Sequence, residues 1–381
     1  MKRSNKSAKG RGEVAPKVIR YAVVGLGNIS QAAVLPGFLN ATTNSKLTAL
    51  VSDDPKKLEQ LSKLYDVDPA DCYDYAEYQK CLESGRIDAV YIALPNSLHL
   101  PYTVQAAKAG IHVLCEKPLA VDERECQAMI RACERNHVKL MGAYRLHFER
   151  SNLEAIRIVQ SGEIGEPRFF TSTFSQQVKA GVRTQKKMGG GSLYDLGVYC
   201  INAARYLFQA DPLKAIAFSV KGHDSRFREV DEMTAATLEF PGQRLATFIS
   251  SFGAENSAVY EVIGTKGKLR AISSYEYSVP ARLEITVGKK TKVQPYVKRD
   301  QFGPELLYFS DCILNNRTPE PSGLEGMIDV HIIRSLYKAA QTGRVVTLKK
   351  FPRHHRPNLR QNIQRRVIKP LGKVNTESTK K

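Results

Sequence analysis

The amino-acid sequence predicts an α/β domain built on a parallel sheet, followed by an α+β domain with an open, mostly antiparallel sheet. Residues 18–142 alternate short β-branched runs with helical patterns, whereas after Arg150 strand-like runs follow one another. The length of 381 residues suits two cores better than one. We therefore place the two domains at 18–142 and 143–348, between a basic flexible lead at 1–17 and a basic tail at 349–381.

The order of the predicted elements differs between the two domains. In the first domain, strands are expected at residues 18–24, 47–51, 89–94, 112–115 and 139–141, with helices at 55–65, 98–109 and 122–136. In the second, strands are expected at 168–174, 214–220, 234–240, 244–252, 258–263 and 268–272, with helices near 148–161, 192–208, 304–316 and 323–341. Strands that alternate with helices are typical of a parallel sheet, and runs of strands are typical of an antiparallel one.

The composition argues against several classes of protein. Apolar residues make up 42% of the chain, and no stretch approaches the roughly 18 consecutive apolar residues of a membrane helix. The basic N-terminus has no apolar segment behind it, so we expect no export signal and a cytoplasmic protein. The seven cysteines include no Cys-x-x-Cys pair, which favours reduced thiols and predicts neither a disulfide framework nor a metal site.

The net charge of +19 is concentrated at the two ends of the chain. Residues 1–17 carry +5 and residues 349–381 carry +10, so the roughly 330 residues between them carry only about +4. A nearly neutral body does not present the basic groove of a nucleic-acid-binding domain. Because charge runs are usually solvated, we expect a disordered tail and keep nucleic-acid binding through that tail as an accessory role only.

A glycine-rich turn follows the first predicted strand and reads Gly25-Leu26-Gly27-Asn28-Ile29-Ser30, a G-x-G-x-x-S form of the dinucleotide-binding fingerprint. Gly25 is expected to make the tight turn, Gly27 to let the backbone approach a pyrophosphate, and Ser30 to keep the helix close to the strand. Asn28 and Ile29 complete the loop, where free N–H groups at a helix start attract phosphate. After a strand, this motif predicts a Rossmann domain that binds a dinucleotide.

The end of the second predicted strand indicates which dinucleotide is bound. An acid normally stands there and binds the adenosine ribose, whereas here the strand ends at Ser52. Lys57 lies one helical turn beyond it, and a hydroxyl with a nearby lysine suits the 2′-phosphate of NADP. In the alternative interpretation, Asp53 binds the free 2′-hydroxyl of NAD and the lysines form a solvated helix face. We expect NADP, with NAD the less favoured cofactor.

Two further motifs carry groups suited to proton transfer. Lys117 follows an apolar strand in Glu116-Lys117-Pro118, at the edge where open α/β sheets place their sites, and burial there is expected to let it titrate downward. Asp195 and Tyr199 follow a run of three glycines and share one helical face because they are four residues apart. An ammonium next to a tyrosine stabilises the phenolate, which can take a proton from a sugar hydroxyl. The alternatives are a surface Lys–Glu pair and a tyrosine that only packs in the core.

Five motifs in order along the chain carry a resemblance to a known family. They are Gly25–Ser30, Leu94-Pro95-Asn96-Ser97-Leu98-His99, Glu116–Pro118, Ala143-Tyr144-Arg145-Leu146-His147-Phe148 and Gly189–Tyr199. In these motifs, over roughly residues 18–347, the chain resembles the Gfo/Idh/MocA oxidoreductases. Tyr199, the segment 202–207 that follows it and the spacing of Ser52 and Lys57 are most similar to the glucose–fructose oxidoreductase branch, which uses NADP.

The resemblance implies roles for individual residues. Lys117 and Tyr199 would act on the hydroxyl being oxidised, and Asp195 would orient that hydroxyl or the lysine. The implied cofactor contacts are Pro95, Asn96 and His99 on the nicotinamide side, Glu116 at the cofactor ribose, and Arg145 in the same cleft.

The implied reaction is hydride transfer from C1 of an aldose to NADP, which yields a lactone, and in the glucose–fructose branch the retained NADPH then reduces a ketose. That branch has a long proline-rich arm over its cofactor, whereas here only a short basic lead precedes the first strand. The alternatives are an aldose or polyol dehydrogenase with freely exchanging NAD(P), and a non-catalytic protein that senses NADP or sugar. The expected partners are a small sugar substrate and further copies of the chain, in a homodimer or homotetramer.

Overall fold

A computed structural model describes residues 18–352 and 356–376, which form two sheets covered by helices. The first sheet is parallel, with the strand order β3-β2-β1-β4-β5-β6. Its strands are β1 Ile19–Val24, β2 Ser45–Val51, β3 Cys72–Tyr73, β4 Ala89–Ile92, β5 His112–Glu116 and β6 Leu140–Ala143. Its helices are α1 Leu35–Phe38, after a π-helical turn at Ser30–Val34, then α2 Pro55–Tyr65, α3 Tyr78–Glu83, α4 His99–Lys108 and α5 Glu123–Arg135. The order reverses between β1 and β4, which is where such sheets open a crevice for a ligand.

Burial on both faces explains why β1 is almost continuously apolar. Tyr21 and Val23 face a core formed with α1 and α2, whereas Ala22 and Val24 face the opposite core formed with α4 and α5. Successive side chains of a strand point to opposite faces, so a strand covered on both sides must be apolar throughout. The predicted parallel α/β domain is thereby confirmed.

The second sheet has nine strands in the order β14-β13-β12-β11-β7-β10-β9-β8-β15. They are β7 Pro167–Ser175, β8 Lys214–Val220, β9 Met233–Phe240, β10 Arg244–Ser251, β11 Ser257–Gly264, β12 Gly267–Ile272, β13 Arg282–Val287, β14 Lys290–Pro295 and β15 Val346–Thr347. Within the described ranges, the β7–β10 pair is the one parallel pairing of this sheet. The core lies against α6 Arg150–Gln160, α7 Val198–Phe208 and α9 Gly323–Thr342. The prediction of an open, mostly antiparallel sheet is confirmed.

The sheet extends further than the sequence pattern indicates, because β13 and β14 lie beyond the last predicted strand. Strand β14 reads Lys-Thr-Lys-Val-Gln-Pro and is mostly exposed. Lysines are common on edge strands, where they discourage pairing with another chain, so β14 lacks the apolar alternation that marks a strand. Polar edge strands of this kind give little signal in the sequence.

The helix α8, Gly303–Leu314, packs with the first domain, although its place in the chain assigned it to the second domain at 143–348. Leu306 and Phe309 lie in the same core as Tyr21, and the Tyr21 and Ser310 hydroxyls are 2.7 Å apart. The four-residue α1 covers little of this face of the parallel sheet, so the apolar side of α8 completes the layer. This helix thus packs with the first domain although it follows the second domain's strands in the chain.

Much of the basic tail, predicted to be disordered, follows a defined path across both domains. We call residues 356–376 the C-terminal strap. Val374 is 4% exposed within the core of the first domain, and Arg365 donates from Nε to the carbonyl oxygen of Asn40. The strap has almost no regular structure, so neither periodicity nor charge could reveal these anchors. The lead at 1–17, residues 353–355 and residues 377–381 lie outside the described residues.

No helix among the described residues combines the length and the apolarity that crossing a bilayer requires.

Candidate active site

A cavity of about 390 Å³ lies at the carboxyl ends of β1, β4 and β5 and is lined by residues of both domains. It brings together ten residues that the sequence predicted for the site: Gly27, Asn28, Ile29, Pro95, Asn96, Glu116, Lys117, Arg145, Asp195 and Tyr199. Gly27 and Tyr199, which are 172 positions apart in the chain, thus line the same cavity. The crevice is the position at which open parallel sheets bind ligands.

The glycine-rich loop has the backbone that a dinucleotide requires. Gly25 has a φ of 94°, and a Cβ there would come within 2.7 Å of the Ala93 carbonyl oxygen, so only glycine fits the turn. A Cβ on Gly27 would meet nothing within 4 Å, which leaves open space beside its backbone. The buried Oδ1 of Asn28 has no hydrogen-bond partner among the described residues. An open backbone wall and an unused polar atom fit a bound dinucleotide.

Ser30 closes this loop and lies outside the cavity wall. Its side chain is fully buried, and its Oγ donates a 2.5 Å hydrogen bond to the carbonyl oxygen of Gly25. Ser30 thus ties the start of the π-helical turn to the end of β1. This agrees with the expectation that a small residue keeps helix and strand close together.

Ser52 and Lys57 also lie outside this cavity, at the end of β2 and in the first turn of α2. Ser52 is 2% exposed. The ammonium of Lys57 is 3.9 Å from Oδ2 of Asp54, whose Oδ1 accepts the backbone N–H groups of Lys56 and Lys57 and so begins the helix. Asp53, the alternative ribose ligand, is exposed. The 2′-phosphate assignment of Ser52 and Lys57 stays a prediction.

His99 is buried behind the site and does not line the cavity, contrary to what the resemblance implied. Its Nε2 is 2.9 Å from the carbonyl oxygen of Leu94, and its Nδ1 is 3.1 Å from that of Pro118. The ring therefore connects the loop after β4 to the turn after β5. By holding these two backbone segments together, the ring of His99 helps to position the neighbouring residues Pro95 and Lys117.

Lys117 and Asp195 form the polar centre of the cavity. Lys117 Nζ donates to the backbone oxygen of Asp195 at 3.0 Å and to its Oδ1 at 3.1 Å. Arg183 binds the other carboxylate oxygen from the opposite side, with Nε 2.5 Å from Oδ2. The carboxylate is thus held between two cations, and Lys117 is 13% exposed. Asp195 is therefore in direct contact with the lysine, as one of the two roles implied by the resemblance requires.

The charges around Lys117 reverse the pKa shift that we expected for it. Burial works to lower the pKa of the ammonium, but its electrostatic interactions with the acidic groups of Tyr199, Asp195 and Glu116 outweigh burial, and the pKa of Lys117 is raised above its usual value. Burial would raise the pKa of Asp195, but Arg183 and Lys117 hold it well below its usual range. The expected downward titration of Lys117 is wrong, because burial brought the lysine next to acids.

Tyr199 stands between two cations at the edge of the second domain's core. Lys117 Nζ lies 4.7 Å from the centre of its ring, and Arg145 Cζ lies 5.0 Å from it. On the other side, the ring packs edge-on against Phe174 at 5.4 Å. Tyr199 therefore packs against the core of the second domain while two cations lie close to its ring.

Arg145 and Glu116 are fixed by further contacts in the cavity wall. Arg145 is 7% exposed and donates to Oε1 of Gln301 and to the carbonyl oxygen of Tyr275, both at 2.5 Å. Glu116 accepts the hydroxyl of Tyr91 at 2.9 Å, and burial raises the pKa of its carboxyl group above its usual value. These contacts keep both side chains in the cleft.

Three residues of the site were missed by the sequence argument. Arg183 lies in a segment without a recognisable motif, yet it is the second cation on Asp195. Gln176 accepts a hydrogen bond from Arg183 and donates to Glu276, and both Gln176 and Tyr277 line the cavity. These side chains come from separate segments without a shared motif, so only the folded chain reveals them.

Residues 19–144 match the oxidoreductase family with an NAD-binding Rossmann fold, GFO/IDH/MocA, and residues 152–270 match the GFO/IDH/MocA C-terminal domain. The chain is 31% identical over 339 residues to D-xylose 1-dehydrogenase (NADP(+)) of Haloarcula marismortui, covering 87% of this chain and 93% of that protein. It is 29% identical over 333 residues to D-xylose 1-dehydrogenase (NADP(+)) 2 of Haloferax volcanii, covering 86% and 99%.

Among solved structures, the chain is similar to aldose-aldose oxidoreductase from Caulobacter crescentus complexed with glycerol. The TM-score is 0.83 at 34% identity, covering 87% of this chain and 100% of that one. The 3-ketoreductase KijD10 from Actinomadura kijaniata shares the fold, with a TM-score of 0.74 at 22% identity over 85% of this chain and 98% of that one. Because both domains match the family and the similarity spans most of the chain, this protein belongs to the Gfo/Idh/MocA family of nicotinamide-dependent oxidoreductases.

Proposed function

We propose that this protein is an NADP-dependent sugar oxidoreductase that transfers a hydride between C1 of an aldose and the nicotinamide. The observation that carries the proposal is that Lys117, Asp195 and Tyr199 share one cavity with the glycine-rich loop at Gly27. The similarity to a D-xylose dehydrogenase and to an aldose-aldose oxidoreductase, each above 30% identity, supports an aldose as substrate.

The proposed mechanism divides the work between cofactor and protein. When bound, the nicotinamide supplies the hydride acceptor, and Gly27, Asn28 and Glu116 are the residues placed to hold the cofactor. The oxygen of Tyr199, in its phenolate form, takes the proton from the sugar hydroxyl at the carbon being oxidised and becomes the neutral phenol. The carbonyl group of a lactone is then left on the sugar.

Lys117 acts as a fixed positive charge in this mechanism. Because its pKa is raised, it stays protonated at neutral pH and does not serve as the base. Its ammonium, with the guanidinium of Arg145, stabilises negative charge on the oxygen of Tyr199 and on the reacting oxygen. Asp195 holds Lys117 in place throughout.

NADP is the cofactor that the second strand favours. Ser52 stands where an acid would bind the ribose of NAD, and Lys57 supplies a cation one helical turn away. Two relatives similar over 86% or more of the chain are named as NADP(+) enzymes. Titration of the protein with NADP and NAD in a calorimeter tests this preference, and tighter binding of NAD would overturn it.

A second candidate function is aldose–aldose transfer, in which retained NADPH reduces a second sugar. The similarity to the Caulobacter enzyme favours it. It differs from a plain dehydrogenase in one observable property, because the cofactor stays bound between the two half-reactions. A dehydrogenase with exchanging cofactor is the competing form, and a protein that senses NADP without turnover is a third.

One experiment distinguishes these forms. Protein purified without added cofactor is examined for near-ultraviolet absorbance and then mixed with D-xylose or D-glucose, with and without NADP. Absorbance that appears without added NADP indicates retained cofactor, and absorbance that grows only with added NADP indicates a dehydrogenase. Lack of turnover with all aldoses and polyols, despite NADP binding, would overturn the enzymatic proposal.

Assembly through the second sheet is part of the proposal. The face of this sheet away from the helices carries exposed apolar side chains, including Phe218 at 72% exposure, with Leu245 and Ile249 nearby on β10. Apolar exposure on a broad flat face is typical of an interface. We propose a homodimer through this face, which sedimentation velocity tests. Phe218→Glu should shift the protein towards the monomer, and an unchanged sedimentation coefficient would refute this interface.

A further inference from the structure

The C-terminal strap crosses from the second domain to the cofactor end of the first. At its start, Nη2 of Arg356 lies 3.7 Å from Oδ1 of Asp211. It continues past Glu320, whose carbonyl oxygen accepts from Nε2 of Gln361. It then passes Asn40, which donates to the carbonyl oxygen of Arg366. Its final described residues reach the glycine-rich loop and the first turn of α2.

The first of these terminal contacts braces the glycine-rich loop. The side chain of Gln31, fully buried, accepts the N–H of Val374 at 2.7 Å and donates to its carbonyl oxygen at 3.0 Å. The same amide group donates to the carbonyl oxygen of Leu26 at 2.8 Å. Leu26 lies between the two glycines of the fingerprint, so Gln31 connects the strap to the loop that would hold the pyrophosphate.

The second contact lies at the predicted 2′-phosphate end. Nδ2 of Asn375 donates to Oδ2 of Asp54 at 3.0 Å. Lys57 Nζ faces the same oxygen from 3.9 Å, beyond hydrogen-bonding distance. Asn375 and Lys57 thus face the same oxygen of Asp54, and the amide donates to it at hydrogen-bonding distance while the ammonium does not. The hydrogen bond from Asn375 reduces the negative charge that this oxygen presents to Lys57, so the ammonium can also bind another anion.

The positive charge of the strap also favours a role in binding an anionic ligand. Residues 356–376 contain six arginines and lysines and no acidic residue. A basic segment close to the phosphate-binding end raises the local concentration of an anionic ligand. A nucleic-acid-binding tail would present its cations to the phosphates of the nucleic acid. Here Arg356 pairs with Asp211 and Arg365 donates to the carbonyl oxygen of Asn40.

We propose that the C-terminal strap is a determinant of cofactor binding, with Asn375 as a residue that selects NADP over NAD. This inference rests on the proposed function, because it concerns the same cofactor. Asn375 shares Oδ2 of Asp54 with Lys57, which weakens the attraction of Asp54 for the ammonium and favours its contact with the 2′-phosphate. Val374, through Gln31, holds the loop that both cofactors share. Loss of the Asn375 contact should therefore weaken the binding of NADP alone, whereas loss of the Val374 contact should weaken the binding of both cofactors.

The test of Asn375 uses the full chain with purified NADP and NAD. Asn375 has a φ of 45°, which glycine adopts without strain, so Asn375→Gly removes the amide and keeps the backbone. We expect the Kd of NADP to rise about fivefold and that of NAD to stay within about twofold. Asn375→Asp places a second carboxylate beside Lys57 and should weaken NADP further.

Asn358→Asp is the matched control, because it adds the same charge to the strap while keeping the acceptor that Asn358 offers to Arg360. It should leave both dissociation constants unchanged. An equal loss in Asn358→Asp and Asn375→Asp would overturn the role of Asn375 in favour of general charge. An Asn375→Gly protein whose NADP affinity equals that of the wild type would overturn it as well.

The contact of Val374 is tested by shortening the chain. A chain ending at Lys369 should bind both cofactors about tenfold more weakly and release bound NADPH faster, whereas a chain ending at Thr376 keeps both contacts and should behave as the wild type. Val374→Asp, with a melting curve, serves if the shorter chain does not fold. Unchanged binding in these variants overturns the bracing role. Absence of NADP binding to the wild type would instead overturn the proposed function itself.

Discussion

Replacing Tyr199 with phenylalanine separates catalysis from packing, because it removes one oxygen atom and keeps the ring. In the structure the ring contacts Phe174 and Tyr275, with centroids 5.4 Å and 6.0 Å away. Those contacts persist in Tyr199→Phe. The neighbouring cations also keep other partners, since Lys117 retains Asp195 and Arg145 retains Gln301. The variant should therefore fold like the wild type.

The expected magnitudes differ widely between stability and rate. Loss of one hydroxyl changes the free energy of unfolding by no more than about 1 kcal/mol, the usual contribution of one hydrogen bond. Loss of the group that accepts the proton lowers the rate by about 10²-fold or more. That fall corresponds to about 3 kcal/mol of transition-state stabilisation. A packing role alone predicts neither a large loss of rate nor a change in the pH dependence.

The assay compares kcat/KM with an aldose across a range of pH, alongside thermal melting curves. Tyr194→Phe is the matched control, since Tyr194 lies on the π-helical turn Leu193–Gly197 just before α7, outside the cavity, and donates to the carbonyl oxygen of Val121. It should lose about 1 kcal/mol of stability and keep its rate. A Tyr199→Phe enzyme with wild-type kcat/KM and pH profile would refute the assignment of Tyr199 as proton acceptor.

Three further predictions follow from the same contacts. Lys117→Met should lower kcat by about 10²- to 10⁴-fold while the Kd of NADP changes only a few-fold, and near-normal turnover would place Lys117 outside the chemistry. Asp195→Asn removes a charge that raises the pKa of Lys117, so the fall of kcat/KM at alkaline pH should begin at lower pH, and an unshifted profile would contradict coupling of the two residues. Arg205→Met leaves Glu325 and Asp329 buried without their cation and should cost about 3–5 kcal/mol in denaturant unfolding. Burial raises the pKa of Asp329 to about 6, so protonation favours the folded state below that pH. The loss should therefore be largest above it, and equal losses at all pH values would argue against a charge effect.

Local sequence predicted much of the fold, because the signals needed are short in range. The apolar strand β1, the turn at Gly25 and the cap Asp54 of α2 each act within a few residues. The parallel sheet and the position of its crevice follow from alternating strands and helices. Lys117 and Tyr199 could be singled out because each follows a recognisable motif.

Contacts between distant segments could not be predicted in this way. The helix α8 joined the first domain because its apolar face covers a sheet that α1 leaves bare. Arg183 reaches Asp195 from a loop with no motif of its own. His99 was assigned to the cofactor side, yet its ring binds backbone oxygen atoms behind the site. In each case the partner lies far away in the chain or offers only a carbonyl group, which every residue has.

The sequence by itself determined the family, the two kinds of sheet and the pair of chemical groups at the site, since these depend on residue type and spacing. Only the tertiary structure decided the direction in which the pKa of Lys117 is shifted and the path of the strap. A pKa depends on which charges surround the buried group, and here acids outweigh desolvation. A basic segment is ordered when its backbone finds partners, as Val374 does with Gln31. Both outcomes depend on contacts across the fold, which residue type and spacing do not specify.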